Sequence, residues 1–246
     1  MQHFKLLLIA RPARVIRILC TAMILLIIAG IVSSFLNYIM GHDYVYGFVP
    51  KFNLNREANV PTYFSSFILL FSSILLGLIA NFKKKVGDIY ALHWSVLSII
   101  FLCLSIDESA GIHELLINPL RNSLHLSGMF YYSWIIIGAL FVVFLAIFYF
   151  NFLFNLPRRM ACQVVVAAFF YIGGTIGFEA VGGYYRSMIE QPDFTYSILV
   201  IFEESFEMIG CLIFIYALLN YISESIQCCL VVFPTEDNKG KHFNQS

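Results

Sequence analysis

The chain has 246 residues, of which 60% are apolar, 17% aromatic and only 12% charged, and its mean hydropathy is +0.81. This composition lies far from that of a soluble globular domain and predicts an integral membrane protein. The 15 basic and 15 acidic residues balance, so no global basic field would attract nucleic acid. We therefore expect membrane lipid, and not nucleic acid, to be the partner of this chain.

Apolar segments long enough to cross a bilayer, which takes about 20 helical residues, recur along the whole chain. They predict an all-α fold, a polytopic transmembrane helical bundle of about six spans in one domain, residues 1–233, followed by a short polar tail, 234–246. The predicted spans are about 15–40, 61–82, 89–115, 129–156, 160–185 and 196–224.

The distribution of Lys and Arg predicts the orientation of these spans, because basic residues favour the cytoplasmic side of short loops. With a cytoplasmic N-terminus, eleven basic residues lie in the cytoplasm and four lie outside. Both termini are then cytoplasmic, and the loops 41–60, 116–128 and 186–195 face outward. Tyr131, Tyr132 and Trp134 suit an interfacial aromatic belt.

Ionisable residues interrupt three of the apolar segments, where an acidic side chain at mid-span costs up to about 3 kcal/mol. Because successive helices alternate in direction, all three segments deliver their acids to the outer half of the bilayer. Along the predicted third span, helical phase places Asp107 and Glu114 on one face. The candidates are Asp107, Glu108, His113 and Glu114 in SIDESAGIHELL, Glu179 in GFEAVGG, and Glu203, Glu204 and Glu207 in FEESFEMIG, with Glu57 and Arg186 as accessory residues.

So many carboxylates in one volume would repel each other unless protons or cations neutralise them. Oxygen ligands with one imidazole suit Mn, Fe, Mg, Ca or Zn. We therefore predict a divalent metal site, with the eight candidates as ligands or as a proton relay, in a membrane-embedded enzyme that acts on a lipid-like substrate. The alternatives are a cation- or proton-coupled transporter and a non-catalytic sensor or assembly protein.

Glycine spacing predicts where two helices approach closely. Gly173 and Gly177 form a Gly-x-x-x-Gly pair in the predicted fifth span, and such pairs allow the backbones of two membrane helices to come together.

Five segments carry a resemblance to a known family: NREANVPTYFS, SIDESAGIHELL, LPRR, GFEAVGG and FEESFEMIG, in that order across nearly the whole chain. Together they resemble a family of uncharacterised bacterial six-helix integral membrane proteins. The resemblance implies a bacterial inner membrane, and the orientation predicted from Lys and Arg places the acidic cluster towards its extracytoplasmic side. It carries over no catalytic residue.

Overall fold

A computed structural model describes residues 12–56 and 58–226, and within these ranges the chain is helical with no strand. Short 3₁₀ turns at Val45–Gly47, His113–Leu116 and Gly128–Phe130 join the helices at one end. The α-helices of the described chain are α1 (Pro12–Tyr38), α2 (Phe48–Phe52), α3 (Val60–Lys85), α4 (Ala91–Ala110), α5 (Ile117–Leu124), α6 (Trp134–Phe154), α7 (Arg158–Arg186) and α8 (Phe194–Tyr221).

Of the described helices, five are long and apolar enough to cross a membrane, namely α1, α3, α4, α6 and α7. This confirms the predicted all-α class and its several apolar helices. The sixth predicted span, 196–224, falls on α8, which has 28 residues but is not one of the five. Three glutamates interrupt its apolar surface, at positions 203, 204 and 207.

Helix α8 forms the centre of the bundle, because α1, α3 and α7 all pack against it. Its second half is buried, with Met208, Ile215 and Leu218 fully enclosed. Its first turn is fixed by Asp193, whose carboxylate accepts a hydrogen bond from the Tyr196 backbone N–H at 2.8 Å and so caps the helix. The helix with the most glutamates is therefore also the one against which three of the long helices pack.

Reciprocal serine pairs join α3 to α4. Ser66 Oγ donates to the Ser105 carbonyl at 2.7 Å, and Ser105 Oγ donates back to the Ser66 carbonyl at 2.8 Å. Seven residues away, Ser73 and Ser98 repeat the arrangement at 2.7 and 2.8 Å. Between helices in an apolar medium, such hydroxyls find partners that lipid cannot offer.

The close contact between α7 and α8 differs from the one that the sequence predicted. A Cβ on Gly174 would lie 2.8 Å from the Glu203 carbonyl oxygen, and one on Gly210 would lie 2.6 Å from the Tyr171 backbone nitrogen. By contrast, a Cβ on Gly177 would meet nothing within 4 Å. A Cβ on Gly173 would make only an ordinary contact, 3.6 Å from Phe206 Cδ1. Neither member of the predicted Gly173/Gly177 pair is therefore the point of closest approach, because a π-helical segment, Gly173–Phe178, changes the register of the face that meets α8.

The third predicted span also ends earlier than expected. Gly111 takes a left-handed conformation at φ 57° and terminates α4 after Ala110. His113 and Glu114 then stand in a separate 3₁₀ turn. The predicted shared helical face of Asp107 and Glu114 is therefore wrong.

One end of the bundle, here named the site end, carries the connecting segments 39–56 and 58–59, 111–133 and 187–193, which include the short helices α2 and α5. The hydrogen bonds that hold this end together include one between the hydroxyls of Ser34 and Ser197, at 2.6 Å, and one from Ser133 Oγ to the Ile117 carbonyl, at 2.6 Å. Helices α1, α4 and α7 end there, and α3, α6 and α8 begin there. Residues near those six helix ends can therefore meet.

Candidate functional site

A cavity of about 210 Å³ lies at the site end, between α4, α7, α8 and the loops. All eight ionisable residues that the sequence predicted for the site line this cavity. They come from four separate elements: α4, the 3₁₀ turn His113–Leu116, α7 and α8. They are Asp107, Glu108, His113, Glu114, Glu179, Glu203, Glu204 and Glu207.

The two accessory candidates have different outcomes. Glu57 lies outside the described residues. Arg186 is not part of the cavity wall; its guanidinium donates to the carbonyls of Ile189 and Glu190, at 2.7 and 3.4 Å. Arg56 does line the cavity, and among the described lining residues it is the one arginine. Its place in NREANVPT, next to Glu57, was the sequence signal that pointed towards it.

Asp107 and His113 form an oriented pair in the wall. Asp107 Oδ1 accepts the His113 backbone N–H and Oδ2 accepts the imidazole Nδ1–H, both at 2.8 Å. The tight turn at Gly111 makes this return contact possible. Burial lowers the pKa of His113, but the bond to Asp107 and the negative charges of Asp107, Glu179 and Glu114 outweigh it, so the pKa is raised.

Glu179 is the most enclosed of these carboxylates, with only 8% of the residue exposed. Its Oε1 accepts a hydrogen bond from Trp134 Nε1 at 2.7 Å. The indole of Trp134 also lies 4.7 Å from the His113 ring, between ring centroids. Glu179 directly follows the π-helical segment of α7, a deformation often found at functional sites. Trp134 thus joins the Asp107–His113 pair to the carboxylate on α7.

The three glutamates of α8 form the remaining acidic wall and are partly buried. Gly174 of α7 lies in close contact with this wall, because a Cβ there would lie 2.7 Å from Glu207 Cγ. The backbone of α7 and the acidic turn of α8 are therefore fitted to each other without space for one methyl group.

Aromatic side chains complete the cavity, a role that sequence reasoning missed. Tyr132 and Trp134 were predicted to form an interfacial belt, but both line the cavity together with Tyr171 and Tyr196. The hydroxyls of Tyr132 and Tyr196 lie 2.5 Å apart and bond to each other. Burial raises the pKa of the Tyr132 hydroxyl. No periodicity in the sequence distinguishes these rings from those on the outer surface of the bundle.

The carboxylates share the cavity without converging on one point. Within the described part of the chain, no group of three or more His, Cys, Asp and Glu residues is arranged to hold a metal ion. The wall nevertheless has seven carboxyl groups against one guanidinium and one imidazole. Such an imbalance needs protons or a bound cation to offset it.

Comparison with known proteins places the chain in a family. A family model described as "Domain of unknown function (DUF8692)" matches residues 18–222. No curated protein and no solved structure matches the chain. The match covers most of the chain and agrees with the resemblance to an uncharacterised family. The chain therefore belongs to the family of the domain of unknown function DUF8692.

Proposed function

We propose that this protein is a membrane protein that binds a cation in the cavity at the site end. One observation carries the proposal: seven carboxyl groups, held on separate helical segments, line one small cavity with a single arginine and a single histidine among the described lining residues. Acidic residues inside membrane segments are costly and most often mark ion or substrate sites. A cation that enters this cavity would offset their mutual repulsion.

The proposal includes a topology of six spans, in which α8 is the sixth and both termini are cytoplasmic. Lys83–Lys85, Arg158 and Arg159 lie at the end of the bundle opposite the site end, and basic residues favour the cytoplasm. The site end would then face the extracytoplasmic side of a bacterial inner membrane. A cysteine introduced at Glu190 should react with an impermeant reagent in intact cells, whereas one at Lys85 should not.

Cation binding can be tested on the full chain purified in detergent. We expect at least one cation from a panel of divalent metals and alkylammonium salts to raise the midpoint of thermal unfolding. Glu203→Gln keeps the shape of the side chain and removes its charge, so it should lower the affinity by about tenfold or more.

The matched control is Glu190→Gln, because Glu190 is exposed at the same end but lies outside the cavity. It should bind as the wild type does. If no cation stabilises the wild type more than it stabilises Glu203→Gln, the proposal is wrong.

A second candidate, a metal-dependent enzyme acting on a lipid-like substrate, is supported by the Asp107–His113 pair. Metal-binding histidines commonly donate their other ring N–H to a carboxylate, and His113 Nδ1 bonds to Asp107 in this way. His113 Nε2 and nearby carboxylates would hold a divalent metal ion, which would activate water. Elemental analysis of protein purified without chelator should then find stoichiometric metal in the wild type and a loss of it in His113→Ala.

A further inference from the structure

We propose that the cation is an organic ammonium compound, with its charged group among the carboxylates and its alkyl part against the aromatic wall. This inference rests on the proposed cation binding and specifies the ligand class of the same cavity. Three features of the cavity support it: its size, the spread of its carboxylates and the surfaces that its aromatic residues present.

The size of the cavity exceeds the need of a bare metal ion. A protein site for a divalent metal brings its ligands to about 2.0–2.6 Å from one centre. The described residues contain no such convergent group, and the cavity measures about 210 Å³. Since one liquid water occupies about 30 Å³, this space suits a molecule of several non-hydrogen atoms.

The carboxylates are spread over the wall in a way that suits an ammonium group. An ammonium group offers several N–H donors that point in different directions, so it can use acceptors on different elements. Glu179 on α7 and Glu203 on α8 both line the cavity, and Gly174 holds the two helices in close contact beside Glu203. Charged hydrogen bonds of this kind are roughly twice as strong as neutral ones.

Three of the aromatic residues have part of their hydrogen-bonding capacity already in use, which leaves mainly ring carbon for the ligand. The hydroxyls of Tyr132 and Tyr196 bond to each other at 2.5 Å, and the Trp134 N–H is taken by Glu179 at 2.7 Å. The indole N–H is therefore taken and one tyrosine hydroxyl already donates, so ring carbon is the larger part of the surface that these three residues offer. Aromatic rings near an alkylated ammonium attract it through their quadrupole and cover its apolar part. Leu104 and Val200 extend the apolar wall.

The test compares butylammonium with Mg²⁺, Ca²⁺, Mn²⁺ and Zn²⁺ by isothermal titration of the full chain in detergent. We expect butylammonium to bind and Glu203→Gln to weaken it by about tenfold or more. Trp134→Leu should weaken butylammonium by about three- to thirty-fold. Because it also removes the indole N–H that Glu179 accepts, any divalent ion should lose affinity too, but by a smaller factor. Tyr171→Leu repeats the aromatic test in case Trp134→Leu does not fold.

Each other outcome has a distinct meaning. Binding of a divalent metal alone, with dependence on Glu203, overturns the ammonium inference and leaves the proposed cation binding intact. Absence of binding by both kinds of cation overturns both proposals. Equal losses for butylammonium and a metal in both aromatic variants would show a structural role for the rings, and the ammonium inference would then be wrong.

Discussion

Replacing Gly174 by alanine tests the fit between α7 and the acidic wall of α8. The new Cβ would lie 2.7 Å from Glu207 Cγ, 2.8 Å from the Glu203 carbonyl oxygen and 3.0 Å from the Glu207 backbone nitrogen. Two of these three atoms belong to the α8 backbone, so no side-chain rotation relieves the clash. Because ordinary contacts lie at about 3.5–4.0 Å, α8 must shift by roughly 0.5–1 Å, and such overpacking costs about 1–3 kcal/mol.

Gly177→Ala is the matched control, three residues further along the same helix. A Cβ there meets nothing within 4 Å. Both substitutions remove a helical glycine, and each gains about 0.5–1 kcal/mol from that change. This gain cancels when the two variants are compared, so the difference in their free energies of unfolding should be the overpacking cost of about 1–3 kcal/mol.

The assay is chemical unfolding of both variants in detergent, followed by titration with the cation that binds the wild type. Gly174→Ala should be the less stable variant and the weaker binder, because the shift of α8 displaces Glu203 and Glu207. Gly177→Ala should bind as the wild type does. Equal stability and equal affinity of the two variants would refute the proposed close contact.

Three further predictions concern separate contacts. His113→Gln removes the imidazole bond to Asp107. Because the pKa of His113 is raised on folding, protonated His113 stabilises the folded state. This stabilisation is present below about pH 6.5 and is lost as the pH rises through the folded-state pKa. The wild type should therefore have a higher free energy of unfolding than this variant, and the difference should be larger at about pH 5 than at about pH 9. A difference that does not change with pH would contradict this. Ser73→Ala and Ser98→Ala should each lower the free energy of unfolding by about 0.5–1.5 kcal/mol. Because each serine bonds to the other, the loss in the double variant should differ from the sum of the two single losses; additive losses would show that the two serines act independently. Gly210→Ala places a Cβ 2.6 Å from the Tyr171 nitrogen and should cost about 1–3 kcal/mol in chemical unfolding, whereas wild-type stability would speak against this contact.

The sequence by itself determined the class of this protein and the inventory of its ionisable residues. Composition and the recurrence of apolar segments predicted a helical membrane protein, because a long apolar helix has few other stable surroundings. The alternating direction of the helices placed SIDESAGIHELL, GFEAVGG and FEESFEMIG at the same end. Besides this alternation, only the distance along each helix is needed to place them, and that distance is fixed at about 1.5 Å per residue.

Only the tertiary structure decided which side chains meet. The left-handed Gly111 takes His113 out of α4 and returns it to Asp107, so extrapolating helical phase beyond Ala110 failed. The π-helical segment likewise moved the close contact to Gly174. The rotation of each helix about its own axis decides whether an aromatic ring such as Trp134 faces the outside of the bundle or the cavity. Hydropathy cannot predict that rotation, because the faces of a helix that is apolar on every side do not differ in hydropathy.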